Sequence, residues 1–170
     1  MQEPTGCGEA MGRKYPEQVA IAIAKDAEGK FNPITLGWCM NTSGDPAMLA
    51  ISVGLERHSL GAIRHARQFV VSFPSVQMAD EALFFGTHSG RDMDKLAACG
   101  TPTQPATRID GVLLADAVAN FECELETELP TGDHVIFVGR IVAAHAHQDA
   151  SVARLYSRGG ELGLGGAVPA

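Results

Sequence analysis

The sequence is poor in basic residues, in paired cysteines and in long apolar runs. Thirteen Lys and Arg face 20 Asp and Glu, a formal net charge of −7 over 170 residues. Gripping a nucleic-acid backbone rests on phosphate neutralisation by basic side chains, so nucleic acid is not an expected partner. The four cysteines, Cys7, Cys39, Cys99 and Cys123, contain no CxxC pair. Their scatter supports neither a zinc ribbon, nor a thioredoxin-like motif, nor a disulfide framework. Reduced thiols in a cytoplasmic protein are expected. No apolar run approaches the ~20 residues of a membrane span. No basic stretch followed by an apolar one marks a signal peptide, so membrane association is not expected. Enzyme signatures are missing as well: there is no GxGxxG after a strand, no P-loop, no HExxH and no GxSxG.

What is present is a core. Hydrophobic residues make up 45% and charged residues 19%, which excludes a disordered chain. Nineteen Gly and nine Pro imply many turns in one domain. Residues 1–14 are polar and Gly-rich and read as a loose N-terminal arm. Val19, Ile21 and Ile23 alternate with Ala20, Ala22 and Ala24, the period of a strand. After a polar link at 25–30 the apolar character resumes from Phe31 to Asn41, so the two segments predict a hairpin. Leu49, Ile51 and Val53 predict a further strand. Ser59 is placed as the N-cap of a helix carrying Leu60, Ile63 and Ala66. Phe69, Val71 and Phe73 predict a strand that Pro74 ends, and residues 77–86 a second helix. Residues 92–98 add a helical turn or two, and 100–110 read as a loop.

The clearest signal lies at 121–129. Phe121, Cys123, Leu125, Thr127 and Leu129 alternate with Glu122, Glu124, Glu126 and Glu128. One face of that strand is expected in the core and the other, acidic, in water. Pro130-Thr131-Gly132-Asp133 is the turn and 135–144 the return strand. Residues 148–170 read as a tail packing on the barrel or on a dimer partner. Strands outnumber helices without strict strand–helix alternation, so a Rossmann domain is disfavoured. The expected fold is mainly β: a closed antiparallel split β-barrel of Greek-key type with a few short helices.

Two segments carry chemistry-bearing residues in unusual places. Asn32-Pro33-Ile34-Thr35-Leu36-Gly37-Trp38-Cys39-Met40-Asn41-Thr42-Ser43 puts hydroxyls and amides where core strand is expected, and such groups need partners. A heteroaromatic ligand would supply them; a turn-rich rim with exposed hydroxyls would also explain them. In Ser89-Gly90-Arg91-Asp92-Met93-Asp94-Lys95, Gly90 allows close backbone approach and Arg91 offers a planar fork for phosphate. An ordinary helix-start turn reads the same way. Glu56-Arg57-His58-Ser59 repeats the theme of a basic fork beside a helix start. His145 and His147 would share a strand face, but no third ligand accompanies them and no metal is expected. Cys39 is either a reactive thiol or, as is commoner, a buried inert one.

In this order the segments resemble the flavin reductase-like family, especially its flavoredoxin branch. The likeness begins at Lys14-Tyr15-Pro16 and runs through the 32–38 segment, Asp45-Pro46-Ala47-Met48 and Ile51-Ser52-Val53. Glu56-Arg57-His58-Ser59, Phe69-Val70-Val71 and the 89–95 segment follow. Asn120-Phe121-Glu122-Cys123 and the stretch from Gly132-Asp133-His134 to Gly139-Arg140-Ile141 complete it. It spans residues 14–147, of which 15–147 would be an FMN-binding split-barrel domain. The resemblance implies a homodimer that holds FMN against Thr35, Leu36, Gly37 and Trp38, with Asn41, Thr42 and Ser43 nearby. The end of the next strand, Ser52 and Val53, the loop bearing Arg57, His58 and Ser59, and Ser89, Gly90 and Arg91 complete the implied site. No catalytic side chain is assigned, because the flavin carries the chemistry. The implied activity is flavin reduction by NADH or NADPH. The alternatives are an electron carrier served by a redox partner protein, or a binding module without turnover. His134 reads either as a neighbour of the nicotinamide or as a strand-end histidine. Pro46-Ala47 stands where the family often has two prolines, and Gly54-Leu55 where it often has a basic residue. One phosphate contact would then fall to Arg57 or Arg91.

Overall fold

Both faces of the segment at 19–24 are buried, each against a different core. Ala20, Ala22 and Ala24 face one cluster and Val19, Ile21 and Ile23 another. The computed structural model describes residues 1–159 and 163–166. Along them run α1 (Cys7–Gly12), β1 (Glu17–Gln18), β2 (Ala20–Lys25), β3 (Phe31–Leu36), β4 (Cys39–Gly44), β5 (Ala47–Gly54) and α2 (His58–Ala66). Then follow β6 (Gln68–Phe73), a 3-10 turn (Val76–Met78), α3 (Ala79–Thr87), α4 (Lys95–Cys99), β7 (Thr103–Pro105) and β8 (Val112–Leu114). The long pair β9 (Ala119–Thr131) and β10 (His134–Ala146), then β11 (Leu155–Ser157) and β12 (Leu164–Gly166), complete the order. Among the described residues no helix is long and apolar enough to cross a membrane.

Seven strands form one antiparallel sheet in the order β3-β2-β6-β9-β10-β5-β4. β3 and β4 are its two edges, yet only Gly37 and Trp38 separate them in sequence. A flat sheet of seven strands would hold its edges about 29 Å apart. Leu36 and Cys39, three residues apart, cannot be separated by more than about 11 Å. The sheet therefore curls until its edges meet at this corner. Two register shifts in the β9–β10 pair, at Val138/Gly139 and Ile141/Ala143, supply bends that the curl needs. At Gly139 a Cβ would meet Phe69 Cζ at 2.6 Å and Cys123 Cβ at 2.7 Å, so the chain lies too close to its neighbours for a side chain.

The mainly β expectation holds, while the closed ladder does not. Among the described residues no strand pairing joins β3 to β4. The segment predicted as one strand from Phe31 to Asn41 breaks at Gly37-Trp38, so β3 pairs with β2 and β4 with β5. α2 packs into the concave side against β2, with Leu60 and Ile63 in the Ala20/Ala22/Ala24 cluster. α3 covers the other face, where Ala82 and Phe85 meet Ile21 and Ile23.

Other expectations are corrected locally. The N-terminal arm contains α1, and the 100–110 loop contains β7, paired with β8. In the tail, β11 pairs with β1 and with β12, and Leu155 is fully buried. Glu122 does not face water. It is 0% exposed, and its carboxylate accepts hydrogen bonds from the N–H groups of Thr107, Arg108 and Ile109, from the Thr107 hydroxyl, and pairs with His145 Nε2 at 2.7 Å. That shell fixes the loop between β7 and β8. Burial alone would raise the Glu122 pKa, but the Thr107 and Arg108 N–H groups, His145 and the Thr107 hydroxyl bring it to about 2. The other three glutamates remain outside, Glu124 and Glu126 beside Arg140 and Glu128 beside Arg64.

Candidate functional site

The end of β5, the start of α2 and the loop after α3 converge beside the seam where the sheet edges approach. They enclose a cleft of about 630 Å³. A smaller one of about 190 Å³ adjoins it between β3 and β5, and both are lined by Ile34, Gly54, Arg57, Gly86 and His134. The larger volume lies in the ~300–1,000 Å³ range of small-molecule sites.

Local hydrogen bonding delivers α2 to this place. Arg57 N–H donates to Gly54 O at 3.0 Å, turning the chain directly off β5. Arg57, not Ser59, is the N-cap, and it offers no side-chain cap. Ser59 sits one residue inside the helix, where its hydroxyl accepts from Asn32 Nδ2 at 2.7 Å. The first-turn N–H groups of α2 are therefore not taken by a side-chain cap, a setting that favours an anion. His58 reaches away to Asp26, Nε2 to Oδ2 at 3.2 Å.

The 89–95 segment reaches the same cleft. Its Gly90 has a different reason from the expected one. A Cβ there would lie 2.0 Å from Asn32 Oδ1 and 3.0 Å from His58 Cδ2. The glycine permits the loop to pack on β3 and α2 rather than on a ligand. Arg91 Nη2 donates to Glu56 O at 3.0 Å, which leaves the guanidinium further donors. Among the described residues none of Arg57, Arg91 and Lys95 makes an ion pair, although Glu56 and Asp133 line the same cleft.

Lys95, the last residue of the 89–95 segment, has no role assigned from sequence. It opens α4, is 3% exposed and lines the cleft. Its Nζ donates to Phe85 O at 3.1 Å and to His88 O at 3.3 Å. Burial, with the Arg57 charge adding to it, pushes this ammonium down to about 8. One lysine beside a helix start carries no sequence mark of burial, so nothing in the sequence distinguishes it.

One wall of the cleft, beside Gly54 and Arg57, is aromatic. His134 pairs across the sheet with Gly54, and its ring lies 4.7 Å from Trp38 at 44°. His134 Nδ1 is 2.7 Å from Asp133 Oδ1; that hydrogen bond, then the charge of the ring, hold the Asp133 carboxyl below its usual range. Only the β5–β10 register brings Trp38 and His134 together. Around Trp38 open two further clefts, of about 570 Å³ and 350 Å³. The second is lined by Thr35, whose buried hydroxyl has no hydrogen-bond partner among the described residues.

Of the fifteen residues proposed from sequence, Thr35, Leu36, Gly37, Trp38, Ser52, Val53, Arg57, His58, Ser59, Ser89, Gly90 and Arg91 line this connected set of clefts. Asn41, Thr42 and Ser43 do not; they lie farther along the sheet edge on β4, with Asn41 and Thr42 exposed. Cys39 is buried, and desolvation, opposed by Arg154, lifts its thiol to about 11, which leaves the inert reading. His145 is held by Glu122, and His147 closes a turn with Asp149.

The family model for the flavin reductase like domain matches residues 11–164. The NADH-dependent FMN reductase AsuE2 of Streptomyces nodosus subsp. asukaensis is 31% identical over 153 residues, covering 88% of this chain and 79% of that protein. The NADH-dependent flavin reductase StyB of Pseudomonas fluorescens is 32% identical over 128 residues, 74% of this chain and 69% of that one. An FMN-binding protein from Thermus thermophilus, solved with p-hydroxybenzaldehyde, superposes with a TM-score of 0.86 at 26% identity, over 99% of this chain and 97% of its own. A flavoredoxin from Methanosarcina acetivorans has the same fold, with a TM-score of 0.88 at 21% identity, over 100% of this chain and 93% of its own.

Proposed function

Because the chain belongs to the flavin reductase-like family, we propose that it holds FMN along the seam cleft and reduces it with NADH. The carrying observation is the polarity of that cleft. Arg91 and an uncapped helix start line the larger cleft, Arg57 lines both, and Thr35, whose buried hydroxyl has no partner among the described residues, lines the smaller one that adjoins it. A phosphate fits the larger cleft and the heteroatoms of an isoalloxazine ring fit the smaller.

Bound FMN supplies the hydride-accepting centre and the release of electrons singly or in pairs. The chain's residues hold and shield it. Arg57 and Arg91 bind phosphate, assisted by the N–H groups at the start of α2. Backbone and hydroxyl donors of residues 35–37 face the ring, where fixed donors stabilise negative charge as it develops. Trp38 and His134 wall the cleft, and their contact limits water on that side. NADH rather than NADPH is the favoured donor, since AsuE2 and StyB are both NADH-dependent.

We read the curled sheet as a split barrel whose open seam is the flavin slot. A homodimer accords with the apolar surface beside that slot, where Trp38 is 49%, Met40 58% and Leu55 53% exposed. A second copy covering it would shield the ring edge.

The test is a spectrum and a rate. Purified protein mixed with FMN and dialysed is expected to keep flavin absorbance, and FMN is expected to make it consume NADH. An electron carrier would stay yellow without NADH consumption. A protein that remains colourless and idle with FMN would defeat the reading.

A further inference from the structure

Among the described residues, three metal-ligating side chains come together away from the cleft floor: Asp26 and Glu28 from the β2–β3 turn and His58 from the start of α2. Their ligand atoms all lie within 4.8 Å of one another. Asp26 is 4% exposed, and its Oδ2 is 3.2 Å from His58 Nε2. Two ligands on a tetrahedral zinc, each at its usual bond length, stand roughly 3.3 Å apart. This pair is already spaced to share an ion. Asp26 Oδ1 accepts the N–H groups of Glu28 and Lys30, which fix the carboxylate and leave Oδ2 facing the imidazole. Glu28 is exposed and makes no ion pair among the described residues. A second observation points to the same place. Asn32 is 4% exposed, and its Oδ1 is buried with no hydrogen-bond partner among the described residues. A Cβ on Gly90 would lie 2.0 Å from that oxygen and 3.0 Å from His58 Cδ2, the ring carbon bonded to Nε2. The amide oxygen and the imidazole therefore flank one spot beneath Gly90. Asn32 Nδ2 donates to Ser59 Oγ at 2.7 Å, which turns Oδ1 toward the ring. A buried oxygen left unpaired is costly until something completes it.

We propose that Asp26, Glu28 and His58 form a structural Zn²⁺ site, with Asn32 Oδ1 as the fourth donor. Two carboxylates beside a neutral imidazole leave negative charge that a dication balances. The imidazole nitrogen disfavours Mg²⁺ and Ca²⁺, which take oxygen ligands. The lack of a thiolate disfavours Cu⁺. Four nitrogen and oxygen donors suit zinc. The ion would act as a clasp between the β2–β3 turn and the first turn of α2, in parallel with the Asn32–Ser59 bond. An ion held by the folded chain and not by the unfolded one stabilises the fold by mass action. The site makes no use of flavin and stands apart from the reading of the cleft.

The experiment titrates Zn²⁺ alone into the full chain, first stripped of metal with a chelator, and follows the heat of binding and the thermal midpoint. A single ion is expected to bind with a roughly micromolar dissociation constant and to raise the midpoint. Mg²⁺ should do neither. Glu28→Gln changes an exposed turn residue, so it should fold normally and weaken Zn²⁺ binding roughly tenfold or more. His58→Gln should weaken it at least as much. His147→Gln and Cys7→Ser remove candidate ligands elsewhere and should leave it unchanged. Binding no tighter than millimolar would overturn the proposal. So would binding that Glu28→Gln leaves intact, or that His147→Gln or Cys7→Ser abolishes. Should His58→Gln not fold, Glu28→Gln decides alone.

Discussion

Glu122 and Lys95 are both withdrawn from water, at 0% and 3% exposure, and the fold treats them in opposite ways. The carboxylate lies on β9 inside a complete shell of four hydrogen bonds from residues 107–109 and a contact with His145. The ammonium opens α4 with two carbonyl acceptors and, among the described residues, no ion pair. Folding stabilises the charge of the first and penalises that of the second. The difference separates a charge that holds the protein together from one left incompletely paired at the cleft wall. A closed shell has nothing left to recognise, whereas an open shell facing a cleft does.

The largest effect that would break this comparison is on stability. Glu122→Ala removes a fully buried carboxylate that accepts four hydrogen bonds and pairs with His145, which is expected to cost about 3 kcal/mol. The measurement is the denaturant midpoint. FMN affinity of the folded fraction should be unchanged, because residues 107–109 do not line the cleft. A variant that keeps its stability but loses flavin would reverse the roles given to the two charges.

Titration sharpens the contrast. Glu122 has a folded pKa of about 2 against a reference of 4.5. Its stabilisation is fully present above 4.5 and is lost as pH falls from there toward 2. Lys95 has a folded pKa of about 8 against 10.5, so the unfolded chain binds the extra proton between those values. Stability of the flavin-free protein therefore rises with pH from about 8 to 10.5, by up to an amount on the order of 3 kcal/mol. Each limb is read as the difference in unfolding free energy between the wild type and Glu122→Gln or Lys95→Met. Both limbs rise with pH, but the Glu122 limb marks the gain of a stabilising charge and the Lys95 limb the loss of a destabilising one. A wild-type advantage over Glu122→Gln that grows as pH falls, or a wild-type deficit against Lys95→Met that widens as pH rises, would end the comparison.

How far the sequence carried this reading depends on which contacts are local. The period of two at 19–24 and 121–129 predicted strands, because alternation reports burial along one element. Arg57, Ser59 and Arg91 were legible as candidates because each lies beside a helix start or turn that the sequence marks, and all three line the cleft. A closed barrel was expected, but the break that leaves β3 and β4 as separate sheet edges was not legible. Gly37 and Trp38 read as mid-strand, and only the pairing of β4 with β5 shows that the chain crosses between sheet edges there. Glu122 looked identical to Glu124, Glu126 and Glu128; a loop some fifteen positions earlier buries it. Lys95 and the Trp38–His134 contact depend on distant segments meeting, which no local pattern encodes.

The smallest effect concerns the other open shell in the same region. Thr35 Oγ1 is buried, without a partner among the described residues, on the strand we place against the flavin ring. Valine has nearly the same shape and no hydroxyl. Thr35→Val removes the cost of an unsatisfied buried group, so the flavin-free protein should gain about 1 kcal/mol. The same change deletes a hydrogen bond to the ring, and FMN affinity should drop by several-fold, on the order of the 0.5–1.5 kcal/mol of one neutral hydrogen bond. Opposite signs in the two measurements are what a waiting donor requires. Loss of stability would mean that the hydroxyl is already satisfied in solution, by a bridging water for instance. Unchanged affinity would move the ring away from Thr35 and leave the phosphate end of the slot to stand on its own cations.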